Sequence, residues 1–165
     1  MPCACRVPLA EYPQNAVWGP LAWDILHGLA ERSGQTSNTL IQKDEVRHWI
    51  LLIESVEKMI PCDVCRAHYK EYLTENPVKQ ILDQPYENLK PFVKTWFWRL
   101  HNDINLGNDK PVFAFDELSG RYKSIAIKQR LDQLAAPIQR AMTNNGVKLL
   151  HWKAFEREVR TLLGL

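Results

Sequence analysis

Chemistry in this chain starts at Pro61-Cys62-Asp63-Val64-Cys65. A Cys-x-x-Cys pair after a proline, where a helix is expected to begin, sets two thiols one turn apart in the field of a helix N-terminus. That field favours the thiolate, the form that exchanges disulfides. The only other cysteines are Cys3 and Cys5, so all the sulfur available for exchange lies in two close pairs. Electron relay between dithiols is one reading. On it Cys62, nearer the helix start, is the more exposed thiol, and Cys65 faces the electron acceptor. The other reading is a zinc-binding helical adaptor, because Cys62, Cys65 and His68 have Cys-x-x-Cys-x-x-His spacing. Zinc needs a fourth ligand, and the remaining cysteines lie far away on an N-terminal arm.

Two further constellations carry polar groups on helical spacing. Trp23 and His27 are an i, i+4 pair and share a helix face. Such a pair is ordinary in a core. His101-Asn102-Asp103-Ile104-Asn105 puts His101 and Asn105 on one face, with Trp98 one turn earlier. Histidine and asparagine in a helix interior are costly when buried without partners, so they imply a polar ligand or a bonded network. Helix-end capping by Asn102 and Asn105 accounts for the same residues.

The elements that must hold these groups are helical. Apolar spacing predicts helices from Trp18 to about Ser33, from Lys43 to Met59, from Cys62 to about Leu73 and from about Asn88 to Leu106. Two more follow at about 123–142 and 147–163, with Asn144-Asn145-Gly146 between them and Pro137 expected to kink or split the first. Residues 34–38 and 107–115 read as loops. No strand alternation, repeat or low-complexity tract is evident.

The chain has 165 residues, enough for one domain with a real core. A net charge of +2 is too near zero to imply a nucleic-acid or membrane partner by itself. The longest apolar run, Trp49 to Ile53, is far short of a span. The N-terminus lacks the apolar stretch of a signal peptide, which predicts a cytosolic protein in which structural disulfides would be unusual.

Trp18-Gly19-Pro20-Leu21-Ala22-Trp23-Asp24-Ile25-Leu26-His27 resembles the first-helix motif of the Erv/ALR family of FAD-linked sulfhydryl oxidases. Pro61-Cys62-Asp63-Val64-Cys65 resembles their redox motif. Leu100-His101-Asn102-Asp103-Ile104-Asn105, followed by Lys110-Pro111, resembles their flavin-binding helix and its loop. The opening Trp-Gly-Pro is most similar to members encoded by large DNA viruses. The resemblance implies an all-α fold, a four-helix bundle holding FAD at its mouth, with a C-terminal helical extension. It divides the chain into an arm (1–15), an oxidase domain (16–122) and the extension (123–165).

By position in those motifs, Trp23, His27, His101, Asn102, Asn105 and Lys110 are expected to contact flavin, and Gly19, Trp98, Arg121 and Tyr122 fall at matching spacings. No metal ligand is expected. Tyr122 stands where many relatives place Trp, and Ile60 where many have an aromatic. The resemblance further implies that a substrate dithiol reduces Cys3–Cys5 or Cys62 directly, that Cys65 passes the electrons to flavin, and that oxygen becomes hydrogen peroxide. Partners on this reading are a dithiol protein, with a thioredoxin-like protein among the candidates, oxygen and a second copy in a homodimer. Infected-cell cytoplasm or virion is the expected location, with the mitochondrial intermembrane space as the alternative. Apolar stripes in 123–163 are expected to form an interaction surface or to cover the bundle of their own chain.

Overall fold

A computed structural model describes residues 11–165, and Cys3 and Cys5 lie outside them. Seven helices follow in order: α1 (Asn15–Arg32), α2 (Thr39–Met59), α3 (Asp63–Glu75), α4 (Leu89–Gly107), α5 (Glu117–Tyr122), α6 (Ile127–Thr143) and α7 (Leu149–Gly164). Among the described residues there is no strand. The all-α expectation holds.

Local chemistry sets the ends. Asn38 caps α2, its Oδ1 accepting from the N–H groups of Leu40 and Ile41 at 3.0 and 3.4 Å. Pro61 closes α2 one residue after its last turn, and Cys62 caps α3 through its sulfur, which accepts from the Cys65 N–H at 3.2 Å. Asn145 takes up a left-handed φ of 59° after α6, and the Gly146 N–H returns to the Ala141 carbonyl at 2.8 Å.

Several boundaries differ from the periodicity reading. Helix α1 starts at Asn15 rather than Trp18, and α2, capped by Asn38, at Thr39 rather than Lys43. Two 3-10 segments, Val78–Asp83 and Tyr86–Asn88, fill the Asn76-Pro77 break. Pro137 does not split α6, which is continuous from Ile127 to Thr143 with the proline ring buried. The short α5 was not legible as an element.

The C-terminal helices are not an appendage. Ile127, Leu131, Leu134 and Ile138 of α6 and Phe155 and Val159 of α7 are buried in the same core cluster as Ile25, Leu29, Ile53, Val56 and Phe97. Helix α6 packs on α1 so closely that a Cβ placed on Gly28 would sit 3.1 Å from Ile127 Cγ1. Their apolar stripes are thus covered by their own bundle, and no interaction surface is needed to explain them. A second, smaller cluster of Phe113, Leu118 and Tyr122, flanked by Trp98 and Phe115, closes the end of the bundle where α5 lies.

Candidate functional site

Helix α1 carries the site along one row. Asn15, Gly19, Trp23, His27 and Glu31 are spaced by four, so neighbours adjoin while the series winds by about 40° at each step up the helix. At its lower end stands the Cys62–Cys65 disulfide, with Cα atoms 5.2 Å apart. Both cysteines are half-buried. Asn15 Nδ2 donates toward Cys65 Sγ at 3.3 Å and lies 3.8 Å from Cys62 Sγ. The buried Trp18 indole N–H donates to Asn15 Oδ1 at 3.1 Å and aims the amide. Above Gly19 the ridge is bare: a Cβ there would meet no atom within 4 Å.

The upper end of the row is an aromatic stack. Trp23 lies flat on His101 of α4, with centroids 4.0 Å apart and planes within 4°. His27 stacks on Tyr122 at 4.4 Å. His27 Nε2 and His101 Nδ1 are 3.0 Å apart, so one ring donates and the other accepts. Both imidazoles are held neutral. Burial pushes the His101 pKa down to about 4, with the Arg121 and Lys110 cations adding to it. Burial also pushes the His27 pKa well below its usual value, helped by His101, Lys94 and Arg121. Arg121 lies over the Phe113 ring at 4.5 Å.

The remaining α4 groups hold the loop that closes the site. Asn102 accepts from the Phe113 N–H at 3.1 Å and donates to its carbonyl at 2.9 Å, an acceptor it shares with the Trp98 indole. Asn105 donates to the Pro111 carbonyl at 3.3 Å, and its own carbonyl accepts from the Lys110 N–H at 2.8 Å. Asn102, Asn105 and Trp98 thus make the bonded network that costly helix-interior polar groups require, around residues 110–113. Behind the stack, Glu31 pairs with Lys94 at 2.7 Å, and the Ser119 hydroxyl donates to the same carboxylate at 2.9 Å. That pair ties α1, α4 and α5 together one turn beyond His27.

A second clamp surrounds the redox motif. The Arg66 guanidinium donates to the Ile60 carbonyl at 2.7 Å and to the Gly146 carbonyl at 2.9 Å, and the Tyr12 hydroxyl donates to the Pro61 carbonyl. His68 is engaged with Asp103 at 3.0 Å, and the two cysteines with each other, so the zinc-adaptor reading gains no support. Among the described residues no group of three or more His, Cys, Asp or Glu could hold a metal ion.

The structure thus brings Gly19, Trp23, His27, His101, Arg121 and Tyr122 together, and sets Asn102, Asn105 and Trp98 behind the loop. Asn15, Phe113, the Glu31–Lys94 pair, Arg66 and Tyr12 were not picked out from the sequence. Asn15 alone had a signal, being one four-residue step before Gly19.

This donor set fits a flavin dinucleotide. Flat rings edged by neutral imidazoles suit an aromatic ligand, the Arg121 and Lys110 cations suit its diphosphate, and the bare backbone at Gly19 leaves room on the row between rings and sulfur.

Comparison with known proteins agrees. The Erv1 / Alr family model matches residues 20–123. An FAD-linked sulfhydryl oxidase of African swine fever virus (Kenyan pig isolate) is 32% identical over 112 residues, 67% of this chain and 84% of that protein. Its counterpart in a Malawian tick isolate is 33% identical over 107 residues, 64% of this chain and 80% of that protein. The FAD-linked sulfhydryl oxidase ERV1 of Arabidopsis thaliana is 27% identical over 112 residues, 68% of this chain and 53% of that protein. No solved structure matches the chain at the same stringency.

Proposed function

The chain belongs to the Erv1 / Alr family, and from that premise we propose that Cys62 and Cys65 are the redox-active pair of its thiol oxidase reaction. The protein is an FAD-linked sulfhydryl oxidase that makes disulfide bonds in dithiol substrates with oxygen as acceptor. One observation carries the residue assignment: one helix, α1, carries Asn15 against the disulfide and, two and three turns on, Trp23 and His27 in the ring stack.

A substrate thiolate attacks Cys62 Sγ, the Cys62–Cys65 bond breaks, and the electron pair leaves on Cys65 Sγ. The second substrate thiol then attacks the mixed disulfide, releasing oxidised substrate and the Cys62 thiolate. FAD, when bound, would supply the two-electron redox chemistry between the Cys65 thiolate and oxygen, with hydrogen peroxide as the product. Trp23, His27, His101 and Tyr122 form the flat surface for its ring, Gly19 leaves the approach open, and Arg121 and Lys110 provide the cations for its phosphates. Asn102, Asn105 and Trp98 hold the 110–113 loop in place.

Cys3 and Cys5 form the shuttle in this reading. Tyr12 touches Pro61, and it lies seven residue steps along the chain from Cys5. A fully extended stretch of that length reaches roughly 24 Å, so the pair can serve the disulfide of its own chain. The family resemblance supports a homodimer, and the viral relatives support a viral protein acting in infected-cell cytoplasm or virion. Among the described residues no helix is long and apolar enough to cross a membrane.

Purified protein tests the reading. It should carry oxidised-flavin absorbance that bleaches under anaerobic dithiothreitol and returns with oxygen as peroxide forms. Cys65→Ser should abolish turnover with flavin retained, and Cys62→Ser should leave a Cys65 thiolate with a long-wavelength charge-transfer band. A colourless protein that refolds without taking up FAD refutes the cofactor, and a band in Cys65→Ser alone reverses the cysteine roles.

A further inference from the structure

The Asn15 amide and the two sulfurs are unequally placed, and the proposal that follows rests on the thiol-oxidase reading above. When the disulfide opens, one sulfur must leave as an anion, and its ease of leaving rises with stabilisation of that anion. Cys62 already has a donor: the Cys65 backbone N–H at the first turn of α3, 3.2 Å from its sulfur. That alone would favour Cys62 as the anion and invite attack at Cys65. Cys65, the third residue of the same helix, shares that field, but among the described residues no backbone N–H donates to its sulfur. What it has is Asn15 Nδ2 at 3.3 Å, half an ångström closer than the same nitrogen is to Cys62. The amide is not free to turn away, because the Trp18 indole, whose residue is 8% exposed, holds its oxygen at 3.1 Å.

We propose that Asn15 is a catalytic residue, the donor that stabilises the Cys65 thiolate when a substrate thiol attacks Cys62, and that Trp18 is its positioning residue. The step balances within the exchange itself. The incoming thiolate forms a bond to Cys62 Sγ, the Cys62–Cys65 bond breaks, and its electron pair stays on Cys65 Sγ against the Asn15 N–H. The amide moves no proton; it lowers the energy of the anion it already faces. Asn15 thereby offsets the advantage of the helix end and selects which sulfur is attacked.

The test uses full-length protein and reads the thiolate directly by its ultraviolet absorbance against pH. In a Cys62→Ser background, Asn15→Ala should raise the Cys65 pKa by about one unit, a roughly tenfold loss of anion near neutrality, as expected for one donor to a charged acceptor. Asn15→Asp, which puts a carboxylate there, should raise it more. In a Cys65→Ser background the same substitutions should move the Cys62 pKa by less than half as much. Trp18→Phe, which keeps the ring and removes the N–H, should reproduce part of the Cys65 shift. With both cysteines present, Asn15→Ala should slow disulfide opening by dithiothreitol about tenfold at unchanged flavin content and melting temperature. A Cys65 pKa that does not move in Asn15→Ala, or a Cys62 pKa that moves as much, overturns the proposal. Wild-type protein that oxidises no dithiol while the Cys65 pKa shifts as stated would refute the oxidase reading and leave the Asn15 contact standing.

Discussion

Replacing Lys94 with methionine removes one partner of the buried pair behind the ring stack. Lys94 Nζ and Glu31 Oε1 are 2.7 Å apart, with side chains only 12% and 4% exposed. Screening by water is therefore weak, and the Glu31 carboxylate would be left buried with the Ser119 hydroxyl as its remaining donor. Breaking a buried pair in this way costs about 3–5 kcal/mol, a large share of the roughly 5–15 kcal/mol a domain has. For a chain of this size each kcal/mol lowers the melting temperature by about 2–4 °C, so Lys94→Met should melt roughly 6–20 °C below wild type. Because Ser119 ties α5 to the pair, and α5 carries Arg121 and Tyr122, flavin affinity should fall with it. Thermal unfolding by circular dichroism, with and without added FAD, gives both quantities. Glu31→Leu with Lys94→Met should recover most of the loss, since a same-sized apolar pair leaves no charge unpaired. A single variant within about 1 kcal/mol of wild type, or a double variant as unstable as the two singles summed, would refute the reasoning.

Truncation after Ser124 should abolish cooperative unfolding and flavin retention, because it exposes the core faces met by Phe155, Leu134 and Ile138; a soluble, yellow 1–124 fragment would show that α6 and α7 are dispensable. Protonation of His101 and His27 should destabilise the fold in acid. Their folded pKa values lie below the usual 6.5, so the unfolded chain binds more protons, and stability present above pH 6.5 is lost as pH falls toward about 4, with His101 accounting for on the order of 3 kcal/mol. Chemical denaturation across that range, beside His101→Asn, measures it; an equal slope in the variant would count against His101. Gly146→Ala would put a Cβ 2.0 Å from the Tyr12 hydroxyl and displace it from the Pro61 carbonyl. The expected cost is about 1 kcal/mol, largely relieved by a Tyr12→Ala background, which also removes the ring carbons 2.8 Å away, and additivity of the two changes in a double-mutant cycle would exclude the contact.

What the sequence showed of this protein was its long-period content. The stripes of α2, α4, α6 and α7 are strong because each buries one face, and they read as helices without any structure. Residues 20–123 also carry dense motifs. Less legible were short or compensated features. Helix α5 has six residues, too few for a period. Pro137 reads as a break by local rule, yet tertiary packing of Leu134 and Ile138 on either side keeps the helix intact. The roles of Asn102 and Trp98 were hidden because their partner is a backbone carbonyl eleven and fifteen residues away, at Phe113. Nothing local in the sequence says that Glu31 and Lys94 will both be buried, so their pairing is not legible there. Arg66 and Tyr12 were invisible for a related reason: their acceptors are carbonyls of other segments, set only once α3 and the α6–α7 loop have docked.

The four-residue beat from Asn15 to Glu31 makes this site a matter of phase. One residue inserted between Gly19 and Trp23 would keep every side chain of the motif, yet turn the lower half of α1 by about 100° and swing Asn15 off the sulfur. Four inserted residues would restore the facing to within about 40° while moving Asn15 roughly 6 Å farther from the rings along the helix axis. The first change breaks angle and the second breaks distance. A count of identical residues would score both as near-perfect relatives, while neither could work this way, so the spacing along α1 carries information that its letters do not.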